Sequence, residues 1–462
     1  MTIDPIRAWE GLLHTENAGE LCLRLADRMR ARRLHFGGRL LCQVLRPFFL
    51  DGADEGRVRV AAETLWVLAE RIARAGCEDR ALLAELGLDD AEIRLAAIDP
   101  GYATTSTTAR ADAFVLPDSL QFAEYNGEAP AGAAYSQGLA EVFAEEPLMA
   151  RFREHVDAQM YRPVDPLLQA LIDSYREWGG RASPPALAIV DWREVPTFSE
   201  FELLREAFSS RGVPTLIADP RELEYRSAST SSAGSAPGRI SPGLYARGQR
   251  IDLVYRRVLI NDIVARPDDC RALIDAYAAR AVCVANSLRC KIPHKKAFFA
   301  VLTGDRHADR FSDDERRIIR RHVPWTVVVA DTRVARDGDS IDLLPYLRRH
   351  REQFVVKPND EYGGTGITLG WEASEAEWDA ALARAVAEHD RGWVAQERIA
   401  VRRERFPLCE QGGIAVRDML IDLAPYVFRG RLAGFLTRLS ASGLANVTSG
   451  GGQVPAFVIR SP

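Results

Sequence analysis

One apolar stretch, Phe354-Val355-Val356-Lys357-Pro358, ends in a lysine and runs within a few residues into Tyr362-Gly363-Gly364-Thr365-Gly366-Ile367. A strand that delivers an ammonium to a glycine loop fits few arrangements. Backbone N–H groups approach a ligand closely where no Cβ intervenes, and the lysine adds positive charge, so the pair suits a phosphate group. The glycines follow the lysine and there is no Gly-Lys-Ser/Thr, so this is not a Walker A loop. An ordinary hairpin turn with a surface lysine satisfies the same residues, so the stretch gains weight only with a partner elsewhere.

That partner lies far upstream. Ala113 to Leu116, the turn Pro117-Asp118-Ser119 and Leu120 to Asn126 read as a β-hairpin. Glu124 and Asn126 are two apart on one strand and share a face, while Asp112 and Arg110 share a face of the partner strand. Magnesium takes hard oxygen ligands and keeps phosphates and waters in its shell, so two carboxylates and an amide make a plausible protein share. A solvated polar face is the alternative. The small-residue run Gly127 to Gly132 that follows allows a ligand or second backbone to come close.

The chain's 462 residues exceed what one core usually accommodates, so two or three lobes are expected. Apolar residues at 47%, charged residues at 27% and a net charge near −5 are globular values that argue against a nucleic-acid or membrane-surface partner. No apolar run approaches the ~20 residues that cross a bilayer. Met1-Thr2-Ile3-Asp4-Pro5 does not open a signal peptide. Seven scattered cysteines without a Cys-x-x-Cys pair read as reduced, mostly buried thiols of a cytoplasmic protein.

The first hundred residues read as helical, with apolar positions 58, 61, 65, 68 and 72 at helical spacing. A helix is expected from about Ser136 to Ala144, and another opening at Asp165-Pro166. Residues 186–290 read as an α/β unit. Its strand Ala186 to Val190 is followed by a helix with capping-box spacing at Ser199 and Glu202, and then by strand Pro214 to Asp219. Ser227 to Gly243 reads as a loop, and a further strand ends in Arg256-Arg257. Beyond Lys291 come a helix near 295–302, strands at 325–330 and 392–397, a helix near 375–388, and an antiparallel pair, 414–428 with 432–440. The run Asn446 to Gly452 suits either a close-approach loop or a tail.

Together these pieces resemble the ATP-grasp superfamily, in its circularly permuted branch that includes the glutathionylspermidine synthetases. The matching segments are Arg110-Ala111-Asp112, Glu124-Tyr125-Asn126, His294-Lys295-Lys296-Ala297, Val356-Lys357-Pro358 with its glycine loop, Gln396-Glu397 and Thr437-Arg438. They span roughly residues 95 to 460. The resemblance implies an α/β (α+β) fold: a circularly permuted ATP-grasp with an inserted Rossmann-like α/β unit and a helical N-terminal region. The expected division is 1–100 helical, 101–180 metal-binding hairpin and helices, 181–290 Rossmann-like, and 291–462 nucleotide-binding lobes. It also implies roles. Lys296 and Lys357 would contact ATP phosphates, and Gly363, Gly364 and Gly366 would close over them. Gln396 and Glu397 would lie at the adenine and ribose. Asp112, Glu124 and Asn126 would hold Mg2+, and Arg110 and Arg438 would neutralise the phosphoryl group in flight. Neighbouring Lys295 competes with Lys296 for its role.

The expected reaction is ADP-forming ligation of a small-molecule carboxylate and an amine through an acyl phosphate, with ATP and magnesium. A kinase that stops at a phosphorylated product and a silent ATP-binding module are the alternatives. Two features depart from the pattern: Asp360 and Glu361 set two acids beside the phosphate loop, and no cysteine amidase domain or glutathione or polyamine motif is present. Arg256 and Arg257 end a strand where an open α/β sheet binds ligands, and would suit a carboxylate; pairing with Asp252 or Asp262 is the alternative. A homo-oligomer is among the expectations, and the sequence names no general base.

Overall fold

A 27-residue helix, Gly52–Glu78, capped by Asp51, buries Val58, Ala61, Leu65, Leu68 and Ile72, the stripe that the periodicity picks out. In the computed structural model, which describes residues 4–116, 119–227, 242–361, 364–389, 392–410, 413–441 and 452–460, this helix packs on the largest sheet. The first hundred residues are not wholly helical, however. Strand Phe48–Asp51 pairs in parallel with Ala456–Arg460, which pairs in turn with Asp157–Gln159. Phe48-Phe49-Leu50 is too short a run to declare itself a strand, and its partner is at the other end of the chain.

The hairpin forms as expected: Thr108–Val115 and Leu120–Asn126 are antiparallel, Arg110 opposes Asn126, and Asp112 opposes Glu124, with a bulge after Asp112. It is the edge of a six-stranded sheet continued by Gly413–Phe428, Arg431–Ser440 and Gly452–Gln453, with Arg403–Glu410 also on Gly413–Phe428. Residues 101–180 and 291–462 therefore share one sheet. The pair Gly413–Phe428 and Arg431–Ser440 places Asp422 opposite Arg438. Its turn runs through Arg429 and Gly430, both at positive φ, which glycine adopts without the clash a Cβ brings.

A second sheet is all parallel, in the order Cys283–Ala285, Leu253–Arg256, Leu187–Val190, Thr215–Ala218. Helix Phe198–Ser210 crosses between the last two. Ser199 does not cap it: Thr197 is the cap position, and the Ser199 hydroxyl meets the Tyr135 hydroxyl and the His35 carbonyl instead. Asp165 likewise lies inside the first turn of Val164–Glu177 and makes no cap bond. A third sheet, antiparallel, runs Thr326–Val328, Trp393–Glu397, Phe354–Pro358, Thr368–Leu369. Phe354, Val356, Trp378 and Trp393 form its core with helix Glu375–Ala387, which a Ser374–Glu377 capping box opens.

The expectation of seven reduced thiols fails at one pair. Cys22 and Cys409 are joined by a disulfide across 387 residues, because helix Ala18–Ala31 packs on strand Arg403–Glu410. Cys42, Cys270, Cys283 and Cys290 are buried and free, and Cys77 is exposed. No described helix is long and apolar enough to cross a membrane. Pro117, Asp118, most of the Ser227–Gly243 loop, Tyr362, Gly363 and most of Asn446–Gly452 lie outside the described residues.

Candidate functional site

A cavity of about 470 Å³ lies where the three sheets meet. The six-stranded sheet contributes Arg110, Asp112, Glu124, Asn126 and Arg438; the opposite wall contributes Lys296, Lys357 and Gly364. Two segments more than two hundred residues apart thus face one another, and Lys357 Nζ donates to the Ala123 carbonyl on the hairpin at 2.8 Å.

Asp112 sits between two arginines. Arg110 Nε donates to its Oδ1 at 2.9 Å and Arg438 Nη2 to its Oδ2 at 2.6 Å. Burial alone would push this carboxyl up, but Arg110 and Arg438 overcome it and hold it well below the usual range. Arg438 also binds Asp422 through Nε at 2.6 Å. Asn126 Nδ2 donates to Glu124 Oε1 at 3.2 Å, and Lys296 Nζ lies 3.7 Å from Glu124 Oε2.

On the facing wall, Lys357 Nζ also donates to Gln396 Oε1 at 2.8 Å, and Gln396 is held in turn by the Thr326 hydroxyl at 3.0 Å. Burial pushes the Lys357 ammonium down to about 7; Lys296 acts in the same direction and Glu124 opposes. The structure separates Lys295 from Lys296. Lys295 Nζ is buried against Glu92 at 2.8 Å and Asp360 at 2.6 Å, whereas Lys296 lines the cavity and donates to the Glu361 carbonyl at 2.6 Å. Asp360 is turned from the cavity into Lys291 and Lys295, which removes the conflict of an acid beside a phosphate loop.

Gly364 and Gly366 both take positive φ, and a Cβ on Gly366 would lie 2.8 Å from Pro358. Gly363 falls outside the described residues. Gln396 reaches the cavity only through Lys357, and Glu397 is paired with Arg336. Arg256 does not pair with Asp252 or Asp262. It is fully buried and donates to the Val258 and Asn286 carbonyls, 3.6 Å from Glu128. Only Arg257 of the two lines the cavity.

Sequence reasoning does not single out Asp422 or Asp191, and gives His294 no role beyond its place in the Lys296 segment; all three line the same cavity. Asp422 left a signal, a lone acid in the apolar run Leu420-Ile421-Asp422-Leu423-Ala424. Burial raises its carboxyl to about 7 against the pull of Arg438, and its Oδ1 has no hydrogen-bond partner among the described residues. No group of three His, Cys, Asp or Glu is preformed for a metal among the described residues. The donor types nevertheless suit magnesium: Glu124 and Asn126 offer hard oxygens, Asp112 offers two that now accept from Arg110 and Arg438, and the unsatisfied Asp422 Oδ1 belongs to a residue lining the same cavity.

Residues 243–448 match the family model described as circularly permuted ATP-grasp type 2, in keeping with the resemblance carried by the sequence motifs. A protein of Frankia alni provisionally named a glutamate–cysteine ligase is 24% identical over 225 residues, 46% of this chain and 24% of that protein. An uncharacterised protein of Mycobacterium tuberculosis is 34% identical over 131 residues, 27% of this chain and 22% of the relative. These alignments thus span about a quarter of the length of the curated relatives. A solved glutathione synthetase-like effector of Globodera pallida shares the fold, with a TM-score of 0.61 at 12% identity over 95% of this chain and 96% of that one.

Proposed function

We propose, with a circularly permuted ATP-grasp fold as premise, that this chain is an ATP-dependent, ADP-forming carboxylate–amine ligase. The observation that carries the reading is a single cavity with Asp112, Glu124, Asn126, Arg110 and Arg438 on one wall and Lys296 and Lys357 on the other. The provisional glutamate–cysteine ligase name of a relative agrees with an amide-forming reaction.

In this reading Lys296, Lys357 and the backbone around Gly364 hold the triphosphate. Asp112, Glu124 and Asn126 would hold Mg2+, which would supply positive charge against the phosphates. A substrate carboxylate oxygen attacks the γ-phosphorus and the bond to the β-phosphate oxygen breaks, giving ADP and an acyl phosphate. Arg110 and Arg438 face the charge that builds on the transferring oxygens. Such transfer needs alignment and charge stabilisation more than covalent help from the protein. A neutral amine then attacks the acyl carbon, phosphate leaves, and the nitrogen loses a proton. Asp112 and Asp422 keep Arg438 oriented until phosphates arrive.

The test is product analysis with ATP, Mg2+ and paired acids and amines. The reading expects ADP, free phosphate and an amide in equal amounts, and loss of about 10²–10³-fold in turnover for Lys357→Ala and Glu124→Ala. A stable phosphoester would instead mark a kinase. Unchanged turnover in both variants would remove the site.

A further inference from the structure

The phosphate wall occupies one side of the cavity, and its other side has an electrostatic pattern of its own. Leu187–Val190 and Leu253–Arg256 are parallel neighbours with Val190 opposite Arg256. The next residue on each strand, Asp191 and Arg257, therefore leaves the same carboxyl edge side by side, where neighbouring strands are about 4.8 Å apart. Both line the cavity.

Arg257 is only 5% exposed. Its Nη1 donates to the Pro130 carbonyl and, at 3.2 Å, to the Tyr255 hydroxyl, and its guanidinium lies over the Phe201 and Tyr255 rings. Its Nε is buried with no hydrogen-bond partner, and no ion pair within 4.0 Å joins it to an acid, among the described residues. Glu200 and Asp191 both act on it through space, but neither is hydrogen-bonded to it among the described residues, and the Glu200 carboxylate already accepts from the Gly132 and Ala134 N–H groups. A buried guanidinium N–H left without an acceptor is costly, and the planar fork is the group that recognises carboxylates. Asp191 accepts one bond, from the Trp192 N–H at 2.8 Å, and is not paired with its cationic neighbour.

We infer that this edge is a subsite for the head of an α-amino acid: the Arg257 guanidinium takes the α-carboxylate, and the Asp191 carboxylate takes the α-ammonium. A simple carboxylate would answer Arg257 alone, and a simple amine Asp191 alone; the two opposite charges on adjacent strand ends, which act on each other but share no hydrogen bond among the described residues, suit a ligand that carries both. The inference rests on the cavity's being a substrate site. It goes further in assigning the class of one substrate to residues outside the phosphate wall.

The test is calorimetric binding of the L-α-amino acids to the full chain, with and without a non-hydrolysable ATP analogue and Mg2+. Each amino acid is compared with its α-carboxamide and its N-acetyl form. At least one amino acid is expected to bind, with amidation and acetylation each weakening it about tenfold or more. Arg257→Gln should erase the preference for the acid over its carboxamide, and Asp191→Asn the preference over the N-acetyl form. Circular dichroism and retained binding of the ATP analogue report that each variant is folded. If Arg257→Gln does not fold, the isosteric Asp191→Asn decides alone. The subsite is overturned if no amino acid binds a wild-type chain that binds the ATP analogue, if blocked forms bind as well as free ones, or if a folded variant keeps its preference. Amino-acid binding without any ADP release would leave the subsite standing and remove the ligase reading. ADP release with acid and amine pairs lacking an α-amino-acid head, undiminished in Asp191→Asn, would do the reverse.

Discussion

Lys357 is a lysine held where a lysine does not want its charge. Burial pushes it down to about 7 from 10.5, and its hydrogens go to neutral oxygens of Ala123 and Gln396. Between those two values the unfolded chain keeps a proton that the native one has lost, so this residue makes the ligand-free protein more stable as pH rises from about 7 toward 10.5. A triphosphate reverses the balance, because its negative charge restores the ammonium. Binding of ATP and Mg2+ at pH 8 should therefore take up about one proton at this position, and at pH 5.5 almost none, since the lysine is already charged. Binding heats in buffers of unlike ionisation enthalpy measure that uptake. Lys357→Arg, whose guanidinium stays charged throughout, should bind without it. Equal heats in all buffers at pH 8 would mean that Lys357 does not meet the phosphates. The sequence shows the lysine and its glycines; it does not show the depth that makes the lysine a proton switch.

Elements explain why the phosphate loop starts where it does. Helix Lys291–His294 and the turn after it hold residues 359–361 from several sides. Lys291 and Lys295 grip the Asp360 carboxylate at 2.8 and 2.6 Å, the Lys296 N–H donates to the Asn359 carbonyl at 2.9 Å, and the Asn359 side chain spans from Ala297 to Leu86. Removing the charge of Asp360 leaves two buried ammonium groups under-compensated. Asp360→Asn should cost about 3 kcal/mol of stability, read as a lowered midpoint in urea unfolding, and should weaken ATP binding by loosening Lys296. Glu361→Gln is the control: its side chain is exposed, its contact with Lys296 runs through the backbone, and stability should move by no more than about 0.5 kcal/mol. Equal loss in both variants would show that the clamp is not electrostatic. The hairpin was legible in the sequence because period-two alternation puts Glu124 with Asn126, and Arg110 with Asp112, on one face of each strand; that Asp112 opposes Glu124 comes from the register. The clamp was not, because Asp360 finds its partners 65 and 69 residues away and from the sequence alone reads as repulsion beside a phosphate loop. Ser199 failed for a related reason: its spacing to Glu202 is right for a cap, but Tyr135 and His35 claim its hydroxyl.

At the scale of the whole molecule the site is a meeting of three sheets, and each brings a different charge pattern. The six-stranded sheet brings the oxygen donors and arginines, the antiparallel sheet Lys357, with Lys296 from the start of the neighbouring helix Ala297–Thr303, and the parallel sheet Asp191 and Arg257. The sequence announced the hairpin through its alternation and a parallel pair through the continuous apolar strand at 186–190, but not that strands of 101–180 and 291–462 share one sheet. It could not tell that the two chain ends are stitched together, since Phe48–Asp51 and Ala456–Arg460 make a parallel pair whose strands carry no turn signal linking them. The Cys22–Cys409 disulfide fastens the same closure from the side, tying the N-terminal helices to the strand that flanks Gly413–Phe428. A cross-link over 387 residues restricts the unfolded chain far more than the folded one, and such a bond is worth about 2–4 kcal/mol. Reduction, or Cys22→Ser, should lower the unfolding midpoint accordingly while leaving ATP binding within about twofold, because Asp422 and Arg438 are held by their own sheet pairing and lie beyond the Arg403–Glu410 register. Thiol titration of the unfolded, unreduced chain should count five free cysteines against seven after reduction. Seven in both would show that the bond does not form, and would return the cysteines to the reduced state that their spacing suggests.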